Sequence, residues 1–135
     1  MYNRVMLKDI LIAEDHSLVA SNGYVSDERG IKPVITKIHE DRYYFKDLEV
    51  ADKVIGKASA MLLVYSGVRK VYAHLLSLSG KQILEKYQIE YEYGELTDHI
   101  INRTKDGMCP MEMTVRDIDD LQEAYEALCR KIGLQ

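Results

Sequence analysis

Residues 56–76 read GKASAMLLVYSGVRKVYAHLL, and this stretch decides the fold. Ala58, Ala60, Met61, Leu62, Leu63, Val64 and Tyr65 leave almost no polar face, which predicts a helix over Gly56–Ser66 buried inside a layered fold. Gly67 stands where a left-handed residue ends such a helix. The run Val71-Tyr72-Ala73-His74-Leu75-Leu76 is short and continuously apolar, the mark of a strand covered on both faces. Within that strand His74 reads as a hydrogen-bonded core residue rather than a ligand.

Downstream, Ser79-Gly80-Lys81-Gln82 matches a capping box with Ser79 as N-cap and predicts a helix reaching Tyr87. Ile89, Tyr91 and Tyr93 alternate with Glu90 and Glu92, so a strand with one buried face follows. Strand, helix and strand in this order make a parallel, right-handed crossover. Asp98–Met113 has little regular pattern beyond a short strand at Ile100-Ile101. Ile118, Leu121, Ala124, Tyr125, Leu128 and Ile132 then form the stripe of a last helix, ended by Gly133. Upstream, Ser17–Ser21 and Tyr24–Asp27 flank Asn22-Gly23, which predicts a hairpin with a type I′ turn. Ile31, Val34, Ile35 and Ile38 predict a short helix with Pro33 in its first turn. Val5, Leu7, Ile10, Leu11 and Ile12 suggest another at the start, while residues 41–55 fit either a strand or a helix. The fold class is therefore α/β, three-layer, with a mixed sheet and helices on both faces.

The chain has 135 residues, 47% hydrophobic and 30% charged, which suits one domain over residues 1–135 and excludes collagenous or disordered classes. No run of 18 apolar residues and no signal peptide are visible, and two cysteines do not make a disulfide framework, so a cytoplasmic setting is expected. A net charge of −4 argues against a general nucleic-acid binder. Ten tyrosines, several beside acids, suit sheet-margin packing or an interface between copies better than base stacking.

Chemistry-bearing motifs are sparse. Histidines stand alone at 16, 39, 74 and 99, without CxxC, HxE or HExxH, so no metal site is expected. Gly56-Lys57 lacks the earlier glycine and the following Ser or Thr of a phosphate loop. A helix start at Gly56 still favours an anion, with Lys57 adding charge. In Asn102–Glu112, NRTKDGMCPME, Cys109 lies near Arg103 and Lys105, bases that would favour a thiolate. Glu112 is the candidate proton acceptor there, while Cys129 reads as packing.

The run Asp52–Ala60, the buried helix, VYAHLLS, Ile101-Asn102-Arg103 and Cys109-Pro110-Met111-Glu112 together resemble the bacterial domain of unknown function family 1893. That resemblance covers nearly the whole chain and implies a cytidine-deaminase-like fold. Deaminases carry His-Ala-Glu or Cys-Ala-Glu at the start of the buried helix and Pro-Cys-x-x-Cys at the next. The matching positions here are Lys57-Ala58-Ser59 and Ser77-Leu78-Ser79-Gly80, with neither zinc ligand nor glutamate. The expectation is a zinc-free domain, with no resident cofactor, binding a small anionic or nucleotide-like ligand through Gly56, Lys57, Ser59, Ser77, Ser79 and Arg103. Alternatives are an enzyme or sulfur carrier using Cys109 with Glu112, and a structural or oligomerising protein.

Overall fold

A computed structural model describes residues 4–101 and 107–134. The elements are α1 (Arg4–Ala13), β1 (Leu18–Ala20), β2 (Val25–Ser26), α2 (Lys32–Glu40), β3 (Glu49–Ile55), α3 (Lys57–Ser66), β4 (Lys70–Ser77), α4 (Leu78–Lys86), β5 (Glu90–Thr97), α5 (Pro110–Val115) and α6 (Leu121–Ile132). Five strands form one sheet in the order β2-β1-β3-β4-β5. β1 is antiparallel to β2 and β3, whereas β3, β4 and β5 run parallel, so the sheet is mixed.

Helices lie on both faces of this sheet. Val19, Ala51 and Tyr72 stand opposite one another across β1, β3 and β4, and join Leu7 and Leu11 of α1 in the smaller core. Leu18, Ala20, Val50, Val71 and Ala73 alternate with them and face the larger core, to which α2, α3, α4 and α6 contribute. α3 contacts α2, α4, α5, α6 and β3, which is why its sequence is apolar on every side. Gly67 ends it at φ 91°, with its N–H bonded back to Leu63 and Val64.

The structure differs from the sequence expectation at several elements. The ambiguous segment 41–55 supplies β3, the central strand, whose alternation is hidden by Asp52 and Lys53. The hairpin sits where Asn22-Gly23 placed it, but Gly23 alone has positive φ, at 97°. Ala20 N–H bonds to Tyr24 O and Gly23 N–H to Ala20 O, so the loop has three residues and is not the two-residue type I′ turn. α4 starts two residues earlier than predicted: its N-cap is Ser77, whose Oγ accepts from Gly80 N–H at 2.9 Å. α5, led by Pro110, occupies part of the expected loop, and Ile100-Ile101 makes no strand, only a bridge from Ile101 to Met108. The last helix begins at Leu121, after Ile118, because Asp120 caps it by accepting from Glu123 N–H. His74 is exposed rather than buried, since it shares the side of Tyr72 beyond the cover of α1. β5 is an edge strand and exposed along most of its length, so Tyr91 is only partly covered and Tyr93 stays open. No helix among the described residues is long and apolar enough to cross a membrane.

Candidate functional site

β3 and β4 pass into helices at the same edge of the sheet. β3 ends at Ile55 and α3 begins at Lys57; β4 ends at Ser77 and α4 begins at Leu78. Ile55 pairs with Leu76, so both helix starts open side by side at the carboxyl end of parallel strands. Gly80 makes the approach possible: a Cβ there would lie 3.0 Å from the Gly56 carbonyl carbon.

The α3 N-terminus attracts an anion, as its dipole requires, but the chain supplies that anion itself. Glu112, 7% exposed on α5, accepts from Lys57 N–H at Oε1 (2.7 Å) and from Ala58 N–H at Oε2 (2.8 Å). Gly56 leaves room for this carboxylate, since a Cβ on Gly56 would run into it. An external anion therefore does not meet these two N–H groups. Glu112 links α5 to α3 with both carboxylate oxygens engaged. Lys57 Nζ adds a second link by donating to Arg116 O at 3.0 Å.

Two cavities flank Glu112, and both include Glu112 and Ile100 in their walls. The smaller, about 550 Å³, receives Lys57 and Ser79 from the expected set and adds Gln82, Lys86 and Arg116. The larger, about 940 Å³, receives Gly56, Ser59 and Cys109. The structure thus divides the expected residues between two places. Ser77 is buried and committed to the α4 cap, with Ser79 Oγ 3.1 Å from its own Oγ. Arg103 and Lys105 lie outside the described residues. Cys109 is the half-buried N-cap of α5, its N–H donating to Ile100 O at 2.9 Å.

Sequence reasoning missed one group. Asp52, 6% exposed in the middle of β3, lines the larger cavity, and burial pushes its carboxyl up to about 7. The available signal was an acid inside Val50-Ala51-Asp52-Lys53-Val54-Ile55, a run otherwise suited to a central strand. Asp27, which lines the same cavity, has its Oδ1 2.8 Å from His16 Nδ1, and that hydrogen bond holds the imidazole above its ordinary value. Among the described residues, no three His, Cys, Asp or Glu side chains converge to hold a metal ion.

A family model described as TM1506, domain of unknown function (DUF1893), matches residues 6–132. The chain is also similar to a solved structure, a DUF1893 family protein (TM1506) from Thermotoga maritima. The TM-score is 0.84 at 24% identity, covering 97% of this chain and 92% of that one. At this identity the likeness speaks for the fold. No curated protein matches.

Proposed function

Because the chain belongs to the DUF1893 family of domains of unknown function, we propose a role from its own cavities: it binds a small anionic, nucleotide-like ligand at the α3–α4 edge. The observation that carries this reading is the smaller cavity, where Lys57, Lys86 and Arg116 gather beside Ser79 and Gln82. Leu78, Ile83, Ile100 and Met108 give the same cavity an apolar surface for a ring. Apolar walls with a few placed polar groups are the ordinary make-up of a small-molecule site. Asp98 and Asp119 also line it, but the charge of Glu112 is already met by two N–H groups.

The rest of the reading is one cytoplasmic domain over residues 1–135, from length and cysteine usage, and, from the family resemblance, a cytidine-deaminase-like fold with neither zinc nor a resident cofactor. A hairpin-led mixed sheet with a buried helix after its first parallel strand supports that fold. Cys109 is the centre of the alternative enzymatic reading, supported by its half-buried place in the larger cavity.

The test is calorimetry with inorganic phosphate, nucleoside monophosphates and nucleoside triphosphates. Binding should weaken as salt rises, and Lys57→Ala or Arg116→Ala should each weaken it roughly tenfold. No binding by any of these compounds to the parent protein, or full affinity in both variants, removes the reading.

A further inference from the structure

The larger cavity differs in character from the smaller one. Four of its acids, Glu14, Asp15, Asp27 and Asp52, are not capped by a helix N-terminus as Glu112 is. Its described Lys and Arg groups are Lys53 and Arg29, and Lys53 is bonded to Asp15. Such a wall repels phosphates and draws cations.

An acidic wall alone is not a site, and Asp52 supplies what the wall lacks. In the sheet register it stands between Leu18 of β1 and Ala73 of β4, both fully buried. Its Oδ1 accepts from Val54 N–H at 3.2 Å, the Lys53 N–H is a second backbone donor to the carboxyl, and no ion pair joins it to a cationic side chain among the described residues. A carboxyl buried among apolar neighbours without a countercharge is costly to ionise, and a bound cation offsets that cost. It lines a cavity large enough for a small organic molecule.

We propose that this cavity is a second binding site, for a small organic cation with paired N–H donors of the amidinium or guanidinium class, held on the carboxyl of Asp52. A planar cation of this kind matches a carboxylate with two parallel hydrogen bonds. The groups facing Asp52 across the cavity come from several elements. Glu14 and Asp15 follow α1, Asp27 and Arg29 follow β2, Lys53 is on β3, Ser59 lies on α3, Cys109 caps α5 and Glu112 is on it. His16, bonded to Asp27 and near Glu14, adds a titrating group behind these two lining acids.

A bound cation favours the ionised carboxyl, so affinity rises with pH as Asp52 ionises. Protonation of His16 at lower pH acts in the same direction, because it neutralises Asp27 and Glu14. Asp52→Asn separates the two, since it keeps an acceptor for Val54 N–H while removing the charge.

Benzamidine is the probe and benzamide its neutral counterpart, each titrated calorimetrically into the full chain at about pH 6 and about pH 8. Benzamidine should bind about tenfold more tightly at the higher pH. Benzamide should bind far more weakly, and Asp52→Asn should weaken benzamidine about thirtyfold or more while its melting transition stays cooperative. Three results overturn the proposal: no benzamidine binding at either pH, equal binding of the two probes, or undiminished affinity in Asp52→Asn.

Discussion

Two carboxyl groups of this chain are buried for opposite reasons. Glu112 is buried because it has partners, the N–H groups of Lys57 and Ala58. Removing the accepting carboxylate by Glu112→Ala leaves two donors unmet and should lower stability by about 1–3 kcal/mol in urea unfolding. A change below a few tenths would mean that water takes over the cap. Asp52 is buried without a countercharge, and that burial pushes its carboxyl up to about 7 from the ordinary 3.8. Below about pH 3 the carboxyl is protonated in both folded and unfolded chains. As pH rises toward 7, the unfolded chain releases a proton that the folded chain keeps, so stability falls and then levels off. Asp52→Asn should abolish this decline and be more stable by about 2–4 kcal/mol above pH 7, measured as unfolding free energy against pH. A parent curve that is flat between pH 4 and 7 would contradict the assignment.

Among the elements, helix starts are where small sequence shifts matter most. Two serines compete for the α4 cap, and the structure selects Ser77 because its Oγ reaches Gly80 N–H. Ser77→Ala should therefore cost about 1 kcal/mol, whereas Ser79→Ala should cost little. The reverse order in chemical denaturation would restore the capping box at Ser79. Gly80 follows from the same start: it lets the first turn of α4 press against the β3–α3 junction. Two elements escaped the periodicity reading for different reasons. β3 carries Glu49, Asp52 and Lys53 among its apolar residues, and α5 is six residues long, too short to show a stripe.

Across the whole molecule, α3 is the hub around which the other helices of its layer gather, and both cavities open beside its start. On the proposed deaminase-like reading, the positions matching a deaminase's zinc ligands and glutamate carry Lys57, Ser59 and the Ser77–Gly80 stretch. The purified protein should contain far less than one zinc per chain after dialysis and should not deaminate cytidine, adenosine or guanine. Elemental analysis with about one zinc per chain, retained against a chelator, would show that other residues of the chain bind metal.

The sequence by itself determined the α/β class, the buried helix, the hairpin's place and the parallel crossover. These rest on local patterns: an apolar helix without a polar face, an Asn-Gly turn and alternation along short strands. It also located the edge where α3 and α4 begin, because glycine and serine at helix starts are local signals. Only the tertiary structure decided that Glu112, more than fifty residues from Lys57 in sequence, fills the α3 N-terminus. It alone divided the candidate residues between a more basic and an acidic cavity and gave Asp52 its perturbed carboxyl. A carboxyl's partners and burial depend on which distant segments pack around it, and no period along the chain encodes that.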